Sequence, residues 1–256
     1  MSRLPRSTTA VSAFGFALLC AVIPAGPVQA DITGGALTIV ATTPDGDEAS
    51  FTIEAPAGAS SWSWSSTQRM DLISAKSGNL IAILNPEERA TSVEYVDDPV
   101  IGLSFNVQAG PLPVTVSISS ALLSFPALVA EGRASAGFSL TDYDGDGAML
   151  IGIGDPAGAD GAYLAQYNGF APFLLGTTFA EVIPSIAAGS YATTTVSADV
   201  PPLGFLTIVA PVSDMSVLIS FRLSANDLAS GTSVYVIQQR PTAVETVTWG
   251  RIKTLF

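Results

Sequence analysis

The sequence predicts an all-β chain folded as one antiparallel β-sandwich, of jelly-roll or immunoglobulin-like type. Short runs rich in β-branched and aromatic residues recur along it, and clusters of Gly, Pro, Asn and Asp separate them. No fixed-period repeat points to a solenoid or propeller. Sandwiches of this size remain single domains, with a division at Gly110-Pro111-Leu112-Pro113 as the alternative.

In chain order, Ala36 to Thr43 and Ala49 to Ala55 flank Pro44-Asp45-Gly46-Asp47. Proline presets φ there and glycine accepts positive φ, so the pair reads as a hairpin. Strands follow at Ser61 to Thr67, Asp71 to Ala75, Leu80 to Leu84, Ser92 to Val96, Ile101 to Gln108 and Val114 to Ile118. Beyond these come Ala134 to Leu140, Met149 to Ile153, Tyr163 to Tyr167, Tyr191 to Val200, Phe205 to Ala210, Ser216 to Leu223 and Ser233 to Gln238. Ser124 to Val129, Phe179 to Ile186 and Asn226 to Ser230 read as short helical turns. The uncharged stretch from Pro99 to Ala130 is broken by Asn106, Gln108, Gly110, Pro111 and Pro113, which suits two strands and a turn better than a spanning helix.

Residues 1–30 read as a secretory signal peptide. Arg3 and Arg6 precede an apolar run from Ala10 to Ala25, and small residues lead up to a cut after Ala30. The run is shorter than the roughly 20 residues a membrane span needs. Leu19 ahead of Cys20 argues against a lipoprotein site, and the mature chain is expected to carry no transmembrane anchor.

Removing that leader leaves 8 basic residues against 22 acidic ones, a net charge of −14, and no cysteine. Stability then rests on the core alone. Nucleic-acid binding is excluded, because phosphates need lysine and arginine to neutralise them. The absence of histidine removes imidazole bases, Ser-His and Cys-His nucleophiles and His-ligated metals. Within the mature chain, residues 31–239 form the predicted sandwich with a net charge of −16, and residues 240–256 form a cationic tail of +2. Such a tail docks on its own domain, addresses a partner, or is simply solvated.

The sharpest local motif is Asp142-Tyr143-Asp144-Gly145-Asp146-Gly147. Three carboxylates on alternate positions followed by glycine can wrap oxygens around a hard cation such as Ca2+. Position twelve of an EF-hand would be Ile153, not glutamate, so a full EF-hand is excluded. A calcium-stabilised turn on Asp142, Asp144 and Asp146, helped by Asp155 or Asp160, stands beside a plain hairpin built on Asp-Gly pairs. Ser61-Trp62-Ser63-Trp64-Ser65 places Trp62 and Trp64 on one face of a strand. They form a sugar-binding platform or fill the inner face of the sandwich.

No pair of carboxylates, nucleophile elbow, phosphate loop or dinucleotide fingerprint argues for an enzyme. An outer-membrane barrel is disfavoured by the low aromatic content of 8% and the poor alternation of Thr246 to Phe256.

Several stretches are similar to exported bacterial proteins of the PEP-CTERM-associated type. They are Asp98-Pro99-Val100 with Phe105 to Gly110, Ile118 to Ala121 with Ser124-Phe125-Pro126, Thr141 to Gly147, Gly161-Ala162-Tyr163 with Tyr167-Asn168-Gly169, and Leu223 to Asp227 with Ser230 to Ser233. The likeness runs over residues 92–238, and the sorting signal Val-Pro-Glu-Pro, its spanning helix and its basic cluster are not found. It implies a secreted or cell-surface protein, with the periplasm as an alternative location, and brings no catalytic residues with it. The expectation is therefore a non-catalytic protein of the cell envelope or extracellular matrix, with polysaccharide or envelope components as partners. The alternative is a carbohydrate-binding module that uses Trp62 and Trp64.

Overall fold

The computed structural model describes residues 30–155 and 160–241. The predicted leader therefore lies outside the described residues except for Ala30, as does the cationic tail except for Arg240 and Pro241. The strands are β1 (Asp31–Thr42), β2 (Glu48–Glu54), β3 (Trp62–Ser66), β4 (Met70–Ile73), β5 (Leu80–Leu84), β6 (Thr91–Val96), β7 (Val100–Ala109), β8 (Val114–Leu128) and β9 (Ala130–Thr141). They continue as β10 (Ala148–Gly152), β11 (Tyr163–Tyr167), β12 (Thr177–Val182), β13 (Ser185–Ala188), β14 (Thr193–Val200), β15 (Leu206–Thr207), β16 (Val212–Leu223) and β17 (Leu228–Gln239).

Two antiparallel sheets pack face to face, which is the predicted sandwich. The first runs β12-β11-β16-β8-β1-β2, with β10 joining β16 to β13. The second runs β14-β9-β17-β7-β5-β4; β6 also pairs with β7 and carries β3, and β15 pairs with β9. Among the described residues both paths end in open edges and do not close into a single barrel. No helix among the described residues is long and apolar enough to cross a membrane. The strands on either side of Gly110–Pro113, β7 and β8, sit in opposite sheets over one shared core.

Period-two alternation builds that core. β9 alternates without a break, with Ala134, Ala136, Phe138 and Leu140 buried and Ser135, Gly137, Ser139 and Thr141 turned outward. Phe105 on β7 meets Phe138 on β9 edge to face at 5.2 Å and Phe221 on β16 at 5.6 Å. Gly231 of β17 pairs with both Phe105 and Phe138. A Cβ at Gly231 would lie 2.5 Å from the Phe138 ring, so only glycine lets the two rings close over the strand between them.

The predicted hairpin at residues 44–47 is present: β1 and β2 pair in register from Thr42↔Glu48, and Gly46 takes φ +78°. The three predicted helical turns are mostly strand, with no helix in any of them. Ser124–Leu128 extends β8, held between Asp31 of β1 and Val212 and Asp214 of β16, since pairing on both sides outweighs local turn chemistry. Phe179–Ile186 divides into β12 and β13 around Ile183 at φ +64°, and Asn226–Ser230 leads into β17. One 3-10 turn, Ala171–Phe173, was not foreseen.

Candidate functional site

The acidic turn spans residues 142–147 between β9 and β10. These strands belong to different sheets, so the turn is a sheet-to-sheet crossover rather than the plain hairpin that the Asp-Gly pairs suggest. Asp142 is buried, and its carboxylate accepts the N–H groups of Gly145 at 3.2 Å and Tyr191 at 2.5 Å. Asp144 accepts from Asn226 Nδ2 at 2.9 Å. Gly145 and Gly147 take φ +90° and +93°, and the Tyr191 ring roofs Gly145 so closely that no Cβ fits beneath it.

Carboxylate oxygens of Asp142, Asp144 and Asp146 all lie within 4.8 Å of one another, so this cluster could hold a metal ion. The Asn226 amide keeps Asp144 below the usual carboxylate range. The Asp144 carboxylate beside Asp146 raises the latter. Asp227, buried behind the turn, is raised by desolvation. Asp155 and Asp160 do not join this group; the N–H groups of Asp155 and Gly161 are held by Glu181 Oε1 at 3.0 and 2.9 Å.

Trp62 and Trp64 take the inner-face role. Ser61, Ser63 and Ser65 face water, while both indoles are half-buried against the core and Trp64 lies 5.7 Å from Phe51 across the open edge of the two sheets. Each indole therefore packs one side against the core and leaves part of its surface exposed.

The outer face of the second sheet holds a polar groove that no sequence motif marks. Register places Asn106, Ser230, Ser139 and Thr195 in one row across β7, β17, β9 and β14. The next row is Ser92, Ser104, Thr232, Gly137 and Ser197. Gly137 has no side chain, which opens a groove of about 450 Å³ along these rows, and a depression of about 220 Å³ continues it toward Asp199.

Hydroxyls bond from strand to strand within a row: Ser139 to Thr195 at 2.8 Å and, in the row beyond, Thr141 to Thr193 at 2.9 Å. Arg89 stands at one end, paired with Glu87 at 3.2 Å, and the Tyr143 hydroxyl donates to Glu87, so the groove reaches the acidic turn. The groove-lining Asn106 donates from Nδ2 to Ala90 O at 3.2 Å, and its Oδ1 has no hydrogen-bond partner among the described residues. Period-two hydroxyls in 135–141 and 193–197 were the available signal, but the groove itself comes from strands more than a hundred residues apart.

No protein-family model and no curated protein matches the chain. Among solved structures it is similar to a carbohydrate-binding module studied for specific mannan recognition, TmCBM27, at 11% identity and a TM-score of 0.30, over 70% of this chain and 99% of that one. A family 11 carbohydrate-binding module from Clostridium thermocellum, in complex with a mixed-linked tetrasaccharide, matches at 8% identity and a TM-score of 0.24, over 85% and 100%. Broad bean stain virus gives 8% identity and a TM-score of 0.24, over 92% and 99%. Scores this low leave the function to the chain's own residues.

Proposed function

We propose that the chain is an exported, non-catalytic protein of the cell envelope or extracellular matrix that binds a neutral polysaccharide along the outer face of its second sheet. The observation that carries this reading is the groove over Ser104, Asn106, Ser139, Thr195, Ser230 and Thr232. Hydroxyl and amide groups both donate and accept, which matches the alternating hydroxyls of a sugar chain. A body of net charge −16 repels polyanions, which favours uncharged glycans.

Electrophoresis of the purified protein through gels containing neutral polysaccharides tests the reading. Retardation by at least one of them is expected, and it should be lost in Gly137→Tyr. That side chain fills the groove from the solvent side, where the nearest atoms to its Cβ lie 3.8 Å away, so the core is untouched. Unchanged mobility across mannans, glucans and xylans, or retardation that survives Gly137→Tyr, overturns the proposal.

The acidic turn supports a second, compatible role. Three convergent carboxylates suit a hard cation, and we propose Ca2+ there as a structural ion that ties the β9–β10 crossover to the loop before β14.

A further inference from the structure

Asn106 sits in the floor of the groove on β7 with one polar atom unmet. It is only 6% exposed, and its other polar groups bond to one segment, residues 85–91. Its N–H donates to Thr91 Oγ1 at 3.4 Å, its carbonyl accepts from Asn85 N at 3.0 Å, and its Nδ2 donates to Ala90 O at 3.2 Å. Asn85 is held in turn, donating from Nδ2 to Ser66 O at 3.0 Å and Gln68 O at 2.9 Å. The Asn106 amide therefore cannot rotate without breaking a bond, and among the described residues its Oδ1 has no hydrogen-bond partner. A buried acceptor left unmet costs stability, so a ligand that brings a donor to it gains more than it would at a solvated site.

Two neighbours extend the pattern. A guanidinium is a donor-only group with several N–H bonds, and the Arg89 pair with Glu87 at 3.2 Å uses the one at Nε. Ala90, whose carbonyl fixes the Asn106 amide, adds a half-buried methyl group. A fixed acceptor, a donor-only cation and a small apolar spot thus line the same groove. A sugar hydroxyl can donate to Asn106 but leaves the methyl without a counterpart. An acetamido group meets all three, with its N–H for Asn106 Oδ1, its carbonyl for Arg89 and its methyl for Ala90. It carries no charge, so the acidic body does not repel it.

We propose that Asn106, Arg89 and Ala90 form a subsite for the acetamido group of an N-acetylated amino sugar, so that the chain prefers N-acetylated neutral glycans to their hydroxyl counterparts. This inference rests on the glycan reading of the groove and names the sugar class that the groove favours.

Titration calorimetry of the whole protein with hexa-N-acetylchitohexaose and with cellohexaose tests it, since the two chains share one backbone and differ in the substituent at C2. Both should bind, the acetylated chain about tenfold more tightly, a ratio that one or two well-placed hydrogen bonds supply. Arg89→Ala and Asn106→Val should each cut that ratio to about threefold or less, as expected when one of those bonds is lost. Valine suits a strand, far-UV circular dichroism checks the fold, and the exposed Arg89 position keeps the test sound if Asn106→Val unfolds. Equal affinities of the parent for the two chains overturn the acetamido subsite and leave the groove reading standing. A preference that survives both substitutions, or that survives Gly137→Tyr, also overturns it. If neither hexasaccharide binds, the subsite falls, and retardation by mannan or xylan then decides the groove reading separately.

Discussion

The hydroxyl of Tyr95, on the second sheet, accepts the N–H of Ala121 on the first sheet at 2.7 Å and donates to the carbonyl of Ala36. Ala36 lies where the β1–β8 register shifts between Thr33 and Leu37. A bulge frees ladder groups inside the core, and this one hydroxyl satisfies two of them.

Tyr95→Phe should therefore destabilise the protein by about 1–3 kcal/mol, because it leaves backbone groups buried without partners. Urea unfolding measures the loss. Tyr235 is the matched control: it is fully buried, yet its hydroxyl has no hydrogen-bond partner among the described residues. Tyr235→Phe should cost nothing or raise the urea midpoint, since an unsatisfied group is removed. Equal losses in the two variants would sink the distinction.

Gly231→Ala should lower stability by about 1–3 kcal/mol, the usual cost of overpacking a core. The added methyl would meet the Phe138 and Phe105 rings at 2.5 and 2.6 Å, and both rings are confined: Phe105 abuts Phe221 of the facing sheet, and the fully buried Phe138 abuts Phe105. Phe138→Leu in the same chain should recover part of the loss. Full stability of Gly231→Ala in thermal melts would show that the rings have room to move.

The outcome of each sequence expectation follows from how local its physics is. Leu80–Leu84 and Tyr163–Tyr167 are strands to the residue, because a short apolar run between turn residues carries its own signal. The acidic turn was legible for the same reason: its three carboxylates fall within five consecutive residues. Ser124–Leu128 was not, because Pro126 and small residues hide a strand whose partners lie in β1 and β16. The groove was least legible of all. Its floor needs Asn106 beside Ser230 and Ser230 beside Ser139, and no pattern within a single strand encodes that register.

Asp146→Asn should raise the melting temperature at pH 7 in chelator. The neighbouring Asp144 carboxylate raises Asp146 above its ordinary value of 3.8, so the folded chain holds that proton more tightly than the unfolded chain does. The group's stabilising contribution is then fullest below pH 3.8 and is lost as pH rises through the higher folded value. Asparagine removes the repulsion, and parent and variant curves should converge as pH falls toward 3. A variant that melts lower than the parent at pH 7 in chelator would contradict this.

Calcium should raise the melting temperature of the parent, by about 2.7 kcal/mol of stabilisation when present at a hundred times its dissociation constant. Binding needs all three carboxylates ionised, so the gain should be full at pH 7 and should fade as pH drops through the raised value of Asp146. Asp144→Ala should abolish the gain, because Asp144 contributes a ligand oxygen and its Asn226 contact fixes the turn. Asn226→Ala should weaken the gain without abolishing it, since it removes only the contact that orients Asp144. Melting curves that coincide in calcium and in chelator at pH 7 would remove the ion from the turn and leave it held by hydrogen bonds such as those of Asp142 to Gly145 and Tyr191 and of Asp144 to Asn226.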